Sequence, residues 1–192
     1  MTDSVRAVKA GKRERLIEAA VQVFYERGVE KTTIADIAKV ADVPVGNVYY
    51  YFKTKDQLIE AAVSAHRQRL ARLLDELDRL GDPQARLRGL IAGWVDLRDQ
   101  AAQFGCPFGT LASEMDKRPE ILDEEIAATM RVLVDWTQQQ FEAMGRTDAA
   151  ELGVALIAAY QGISLLTNTF RDPGLMAAEG DRLARWIDSL VA

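Results

Sequence analysis

A cluster of uncharged polar and aromatic side chains follows Pro44 and is the segment best suited to contact a polar partner. Asn47 can hydrogen-bond a base edge, ideally both N6 and N7 of adenine, while Val45 or Tyr49 can touch a thymine methyl group. Hydroxyl and ammonium groups around it suit phosphate oxygens, which predicts phosphate contacts for Thr33, Tyr50, Tyr51 and Lys55. The segment therefore predicts an edge that lies against duplex DNA.

Two short helices joined by a tight turn would present this edge. Apolar residues repeat at the spacing of one helix face, and Thr33 stands where an N-cap belongs: Ile34, Ile37, Ala38 and Ala41. Asp42-Val43-Pro44 ends that helix, because proline cannot continue a helix but can begin one. Val48 would pack the second helix against the first. Gly46 removes a side chain where the backbone must approach another helix or DNA closely.

The charge distribution agrees with a local contact to DNA. The 192 residues carry a net charge of −5, but residues 1–55 contain ten basic and seven acidic side chains. A basic head on an acidic body confines attraction for phosphates to the head. The start of the chain lacks the pattern of a secretory signal, and a single cysteine fits a reducing compartment. We therefore expect a cytoplasmic protein with no membrane partner.

Helical spacing of apolar residues continues to the end of the chain, without the alternation of a half-buried strand. The sequence predicts an all-α fold with a three-helix DNA-binding head over residues 1–55 and a larger helical bundle over residues 56–192. Thr54 would begin a long helix that links the two parts. Asp148 is positioned to cap a later helix that runs through Phe170.

The head resembles a known family. Thr32-Thr33-Ile34-x-x-Ile37-Ala38-x-x-Ala41-x-Val43-x-x-Gly46-x-x-Tyr49-x-Tyr51-Phe52-x-x-Lys55-x-x-Leu58 is similar to the DNA-binding signature of TetR-type transcriptional repressors. The resemblance covers about residues 12–60. It implies a protein that represses a palindromic operator as a dimer and releases it when a small molecule binds. The segment from Phe104 to Ala112 also resembles one found near the pocket in a subgroup of these proteins.

The larger domain is rich in bulky apolar side chains that could line a cavity for a small apolar effector. Ligand sites in bundles are largely apolar with a few polar anchors. The alternative is that each of these residues simply fills the core. The predicted pocket comprises Trp94, Phe104, Cys106, Phe108, Met115, Met130, Trp136, Tyr160 and Gln161.

The last two helices carry apolar stripes with small residues between them. Two copies could pair these helices into a four-helix interface with twofold symmetry, giving a homodimer. The predicted interface comprises Leu152, Leu156, Ala159, Ile163, Leu166, Leu183, Trp186, Ile187 and Leu190.

Two other functions compete with a ligand-responsive repressor. The chain could be a helical binding protein for a small molecule without specific control of DNA, or a thiol enzyme or redox switch based on Cys106, with His66 as its base. His66 is the only histidine, and no ligand spacing predicts a metal site or a cofactor. Nothing in the sequence brings the thiol and the imidazole together, so we expect no enzyme activity.

Overall fold

The computed structural model describes residues 11–115 and 122–190, and all regular secondary structure within these ranges is helical. The predicted all-α fold class is confirmed. The described helices follow one another along the chain as α1 (Lys12–Arg27), α2 (Ile34–Val40), α3 (Val45–Tyr51), α4 (Lys55–Leu77), α5 (Pro83–Asp96), α6 (Arg98–Phe104), α7 (Pro107–Met115), α8 (Leu122–Ala143), α9 (Ala149–Phe170) and α10 (Pro173–Ser189).

The first compact unit of the chain extends to Ala65 and holds α1, α2 and α3. Its first helix ends where Gly28 adopts a φ of 81°, and the Gly28 N–H donates to the Phe24 carbonyl. A positive φ is accessible to glycine without steric cost, so α1 stops where the sequence predicts. Leu16 and Val23 of α1 are fully buried and give the unit its core.

Thr33 caps α2, as predicted. The Asp36 N–H donates to the Thr33 hydroxyl, and the Thr33 N–H donates to the Asp36 carboxylate, which is a complete capping box. The helix ends at Val40, and Asp42 then takes a left-handed φ of 53°, a conformation that aspartate tolerates better than most residues. Val43 then donates its N–H to the Ala38 carbonyl at 3.0 Å. This closed turn directs the chain into α3.

The second compact unit comprises residues 66–192 and is a helical bundle. In it α8 packs along α9, α5 along α10, and α6 against α9. The fully buried side chains at its centre include Leu87, Leu90, Phe141, Leu156 and Ile187. Such close-packed aliphatic and aromatic contacts supply most of the stability of a bundle.

Two aspartates stand at the starts of helices in the bundle, and they behave differently. Asp148 does not cap α9, because its carboxylate accepts two hydrogen bonds from Arg146 at 2.9 Å instead. The prediction of an Asp148 cap is therefore wrong. Asp172 does cap α10, accepting from the Gly174 N–H at 2.8 Å, and Pro173 occupies the first turn.

The long helix α4 begins in the first unit at Lys55 and ends in the second at Leu77. Contacts divide the chain after Ala65, within this helix. The division after residue 55 stays a prediction, because a continuous helix offers no break at which one domain ends.

Helix α9 is long and apolar enough to cross a membrane by length and composition, with a mean hydropathy of 1.5 over its most apolar window. A core helix of a helical bundle meets the same criteria. One side of α9 packs into the bundle, where Leu156, Ser164 and Thr167 are fully buried. Its hydropathy is therefore accounted for in part by packing within the chain.

Close packing of α5 on α10 generates a prediction about Gly180. A Cβ atom at this position would overlap Val95 Cγ2 and touch Ile91. Valine is stiff at χ1 and cannot swing away, so we expect Gly180→Ala to lower the free energy of unfolding by about 1–3 kcal/mol. Urea denaturation followed by circular dichroism measures this change.

Gly93→Ala is the matched control, because Gly93 lies on α5 and a Cβ there meets nothing within 4 Å. This control should raise the free energy of unfolding by roughly 0.5–1 kcal/mol through the loss of backbone entropy in the unfolded chain. Equal effects of the two substitutions would contradict close packing at Gly180.

Candidate nucleic-acid interface and effector cavity

Helix α3 divides its side chains between the interior and the solvent. Val48 is fully buried and Phe52, which follows the helix, is 3% exposed. On the other side Val45, Asn47 and Tyr49 are exposed. The three predicted base-contacting side chains therefore lie on one accessible face, and their roles remain predictions.

Tyr50 is the most exposed of the four consecutive aromatic residues, at 79%. It meets the half-buried Tyr51 edge to face, with ring centroids 5.0 Å apart. A tyrosine ring in water gains nothing from exposure, because burial of its apolar area would be favourable. An outward tyrosine of this kind indicates a surface that meets a partner.

Neighbouring residues hold α3 in place. Lys53 extends its ammonium group back to the Tyr49 carbonyl at 2.5 Å and so satisfies the carboxyl end of the helix. The Arg13 guanidinium lies over the Phe52 ring, 5.4 Å from its centroid. The sequence analysis did not identify Lys53, although a lysine just past a helix end is a typical capping signal.

Thr33 differs from the other predicted phosphate contacts. Its hydroxyl lies 2.5 Å from the Asp36 carboxylate, and hydrogen bonds from Thr33 lower the pKa of that carboxyl group. The Thr33 hydroxyl is thus already engaged by Asp36, which is also paired with Arg27 at 3.6 Å. Thr33, Tyr50, Tyr51 and Lys55 all remain predicted phosphate contacts.

Gly46 has no packing reason to be glycine. A Cβ at Gly46 would meet nothing within 4 Å, and the backbone there is ordinary helix. Glycine in a helix costs roughly 0.5–1 kcal/mol relative to alanine. Contact with another helix of this chain, one of the two reasons considered for Gly46, is therefore excluded in the described structure. Close approach by DNA, the other reason considered, stays a prediction.

A cavity of about 260 Å³ lies within the second unit. Its wall is formed mainly by apolar and aromatic side chains from α4 to α9, with a few polar groups: His66, Arg69, Leu70, Leu73, Trp94, Leu97, Cys106, Pro107, Phe108, Thr129, Met130, Leu133, Tyr160 and Gln161. A mostly apolar wall with convergent polar groups is typical of small-molecule sites.

Six of the predicted pocket residues lie in this wall: Trp94, Cys106, Phe108, Met130, Tyr160 and Gln161. Trp136 does not, since it is buried in the core and donates its indole N–H to Asp78 at 3.0 Å. Phe104 is also absent from the wall, because it ends α6 before the chain turns into the cavity at Cys106. The side chain of Met115 lies outside the described part of the structure.

Helix α4 contributes four of the eight wall residues that the sequence analysis did not predict. His66, Arg69, Leu70 and Leu73 recur at the spacing of one helix face. The spacing of these four residues is visible in the sequence. A mixture of cationic and apolar residues is, however, equally typical of a solvent-exposed helix face. Only the neighbouring helices decide that this stripe faces a cavity.

Aromatic contacts shape the cavity. The rings of Trp94 and Tyr160 stack with centroids 4.2 Å apart and an interplanar angle of 18°. The His66 imidazole meets the Phe108 ring nearly edge to face at 6.3 Å. These contacts leave a flat aromatic surface on one side of the cavity and a histidine on another.

Cys106 is a buried thiol whose sulfur accepts hydrogen bonds from the Gly109 N–H at 3.2 Å and from the Gln161 amide at 3.6 Å. His66 lies in the same cavity wall as Cys106, where its ring packs against Phe108. Among the described wall residues there is no carboxylate that could orient the imidazole, as a cysteine nucleophile paired with a base would require.

Helix α9 exposes an apolar face in addition to its buried one. This outer face of α9 consists of exposed residues at helical spacing, namely Val154, Ala155, Ala158, Gly162, Leu165, Leu166 and Phe170. Leu165 is 66% exposed, and a Cβ at Gly162 would meet nothing within 4 Å. A long helix that is apolar on its solvent side indicates a protein interface.

Most of the predicted dimer residues lie elsewhere. Leu156, Leu183 and Ile187 are buried inside the core of one chain, so they cannot form a surface for a second copy. Residues that pack partly buried against that same core are Leu152, Ala159, Ile163, Trp186 and Leu190. Leu166 belongs to the outer face of α9. Leu156, Leu183 and Ile187 are therefore removed from the predicted interface, and the roles of the other six residues stay predictions.

The fold and the outward α3 define a helix-turn-helix protein of the DNA-binding class. Comparison with known proteins gives a narrower result. The family described as bacterial regulatory proteins, tetR family, matches residues 16–62. The family described as tetracyclin repressor-like, C-terminal domain, matches residues 83–179. The chain belongs to the TetR family.

Individual relatives agree with this assignment. The probable HTH-type transcriptional regulator ArpR of Pseudomonas putida is 43% identical over 75 residues, 36% of each chain. The transcriptional regulator AcuR of Cereibacter sphaeroides is 33% identical over 130 residues, 66% of this chain and 58% of that relative. The matched segments thus span less than two thirds of these relatives. Both are named as transcriptional regulators.

A solved structure shares the fold. The crystal structure of a TetR transcriptional regulator from Legionella pneumophila matches with a TM-score of 0.84 at 18% identity, covering 96% of this chain and 99% of that one. At this identity the likeness establishes the fold alone.

His66 generates a prediction about pH. Burial, and secondarily the charge of Arg69, lowers the pKa of His66 from 6.5 to about 4. In the unfolded chain the imidazole takes up its proton near 6.5, whereas in the folded chain it does so only near 4. The free energy of unfolding should therefore fall by up to about 3 kcal/mol as the pH drops from 7 to 4, with no further contribution above pH 7.

Urea denaturation of the native protein and of His66→Gln at several pH values isolates this contribution, because carboxylate titration is common to both proteins. The difference between them should shrink as the pH falls. Since the chain has one histidine, proton NMR also reads its pKa directly. A measured value near 6.5 would contradict the buried, neutral imidazole.

Proposed function

We propose that this protein is a ligand-responsive transcriptional repressor that binds a palindromic operator as a homodimer and releases it when a small apolar molecule occupies the cavity of the second unit. The observation that carries the proposal is the outward face of α3, where Val45, Asn47 and Tyr49 are exposed while Val48 anchors the helix. Membership of the TetR family supports the same function.

Base reading is assigned to the exposed face of α3. A helix of this size fits the major groove, where Asn47 can pair with adenine and Val45 or Tyr49 can meet a thymine methyl group. Tyr50, Tyr51 and Lys55 then hold phosphates on either side. Acidic side chains are absent from the first turn of α3, which keeps negative charge away from the groove.

Pairing of two copies is assigned to the outer face of α9. Its small residues, Ala155, Ala158 and Gly162, allow a second helix to approach closely, and Val154, Leu165 and Leu166 supply the apolar area. Twofold pairing presents two α3 helices to half-sites about one DNA turn, or roughly 34–36 Å, apart. A cytoplasmic location follows for a protein with this task.

Release is assigned to α4. Its later residues His66, Arg69, Leu70 and Leu73 line the cavity, and its first residues belong to the DNA-binding unit. A ligand that favours one position of α4 changes the population of DNA-competent dimers by its differential affinity. Such coupling is typically about 1–3 kcal/mol.

Electrophoretic mobility shift against the DNA upstream of this protein's own gene, at two salt concentrations, separates the candidate functions. A repressor retains its own site specifically, and retention weakens as salt rises. Equal affinity for every duplex would favour a binding protein without specific control of DNA. A thiol switch would require Cys106→Ser to abolish release by an oxidant.

Gly46→Ala separates folding from DNA binding. The added methyl group meets open space in this chain, so the free energy of unfolding should rise by roughly 0.5–1 kcal/mol. In the complex the methyl group stands where the backbone approaches DNA, so operator affinity should fall at least about tenfold, equivalent to ~1.4 kcal/mol. Denaturation and mobility shift measure the two quantities.

Gly93→Ala, which also adds a methyl group in open space but on α5, should leave operator affinity unchanged. Wild-type affinity of the Gly46→Ala protein would remove Gly46 from the interface and weaken the assignment of α3.

Leu165→Glu tests the pairing surface. Leu165 is 66% exposed, so a glutamate there costs little in a single chain but places two buried charges in the proposed interface. We expect the wild type to sediment as a dimer at micromolar concentration and the variant as a folded monomer. Val132→Glu on the polar outer side of α8 is the control, and it should remain dimeric. A Leu165→Glu dimer as stable as the wild type would refute this surface.

A further inference from the structure

We infer that Val45 and Tyr49 together form an apolar flank of α3 that reads C5 methyl groups of pyrimidines in the major groove of the operator. At the bases below this flank, affinity is set by the presence of the methyl group, so 5-methylcytosine is preferred to cytosine just as thymine is preferred to uracil. This inference rests on the proposed function, since it names the chemical group that α3 selects in the same operator.

The exposed large apolar side chains of the DNA-binding unit lie close together in the sequence. Within residues 11–65, the part of this unit that the structure describes, they are Val40, Val45, Tyr49 and Tyr50. Val45 is 43% exposed and Tyr49 is 47% exposed. Exposure of apolar surface to water is unfavourable, and exposed apolar residues that lie together mark a surface covered by a partner.

Helical geometry separates the exposed surface of α3 into two flanks. Val45 and Tyr49 are four residues apart, so their side chains are neighbours along one side of the helix. Asn47 is two residues from each of them and lies on the other side, because two residues turn an α-helix by about 200°. Gly46 stands between the flanks, where its missing side chain leaves the helix free to lie deep in the groove.

The chemistry of the apolar flank limits what it can read. Valine has no hydrogen-bonding group, and the C5 methyl of thymine is the apolar feature of a base edge in the major groove. Residues 40–52 contain neither lysine nor arginine, the side chains that bind guanine best. The next cation, Lys53, donates its ammonium group to the Tyr49 carbonyl. The flank is therefore suited to a methyl group.

Burial of one methyl group changes an equilibrium constant by about fourfold, which sets the size of the expected effect. The methyl group of 5-methylcytosine occupies the same ring position as that of thymine. A flank that reads this group therefore gains the same factor from either base.

Deoxyuridine tests the inference, because it differs from thymidine by the methyl group alone. The probe is the DNA upstream of this protein's own gene, trimmed to the segment that the protein protects from nuclease. Thymines are replaced in turn at equivalent positions of the two half-sites. In mobility shift, at least one replacement should weaken binding by about fourfold per methyl group lost. With a C·G pair at that position, 5-methylcytosine should bind more tightly than cytosine by the same factor.

Variants assign the effect to the flank. Val45→Ala should reduce the difference between thymine and deoxyuridine to less than about twofold at one of the sensitive positions, since the methyl group loses its contact. Tyr49→Phe keeps the ring and should keep the difference, which separates a methyl contact from a hydrogen bond of the hydroxyl. Val40→Ala is the matched control, because Val40 is 42% exposed but belongs to α2, and the difference should persist there.

Equal affinity for the thymine duplex and for a duplex with deoxyuridine at every thymine would overturn the inference. A difference that persists unchanged in both Val45→Ala and Tyr49→Ala would also overturn it. The two failures are distinguishable. Specific retention that is indifferent to deoxyuridine removes the methyl readout and keeps the repressor, whereas equal retention of every duplex removes both.

Discussion

Burial of Val48 is the constraint on which the DNA-binding surface depends. Val48 is the buried residue of the seven-residue α3, and α3 packs against α2 across the turn at Asp42. Because a helix fixes the angle between successive side chains, seating this one valine turns Asn47 and Tyr49 outward. The outward direction of these two predicted base-contacting residues therefore follows from the helix itself. Thr33 caps the start of α2, and Lys53 donates to the Tyr49 carbonyl at the end of α3. These contacts stabilise the two helix ends on either side of the turn.

The helical bundle of the second unit combines close packing with an internal cavity. Small residues allow intimate helix contact on one side, as at Gly153 against α8 and Gly180 against α5. Around the cavity, by contrast, the stacked rings of Trp94 and Tyr160 form part of the wall. Aromatic rings are large and rigid, so they give this part of the wall a defined shape.

Local signals made the head predictable and left parts of the bundle undetermined. In the head, a cap, a proline and one apolar stripe specify α2 and α3 without reference to distant residues. In α9, Leu156 and Leu165 are equally apolar, so periodicity could not decide which side packs inward, and the predicted interface included the buried Leu156. Trp136 was expected in the pocket because its size suits either role; its bond to Asp78 comes from a residue 58 positions away. His66 was dismissed as a catalytic base, and its place in the wall depends on helices that only the fold brings together.

The apolar outer face of α9 has a consequence for the cellular concentration at which the protein can act. In a monomer the side chains of Leu165 and Phe170 are exposed to solvent. Exposed apolar surface favours aggregation and recognition by chaperones and proteases. Under the proposed pairing, a low protein concentration would lower the amount of dimer in two ways. Dilution would favour the monomer, and the monomer would then be degraded faster. Occupancy of its target would then rise more steeply than in proportion to synthesis.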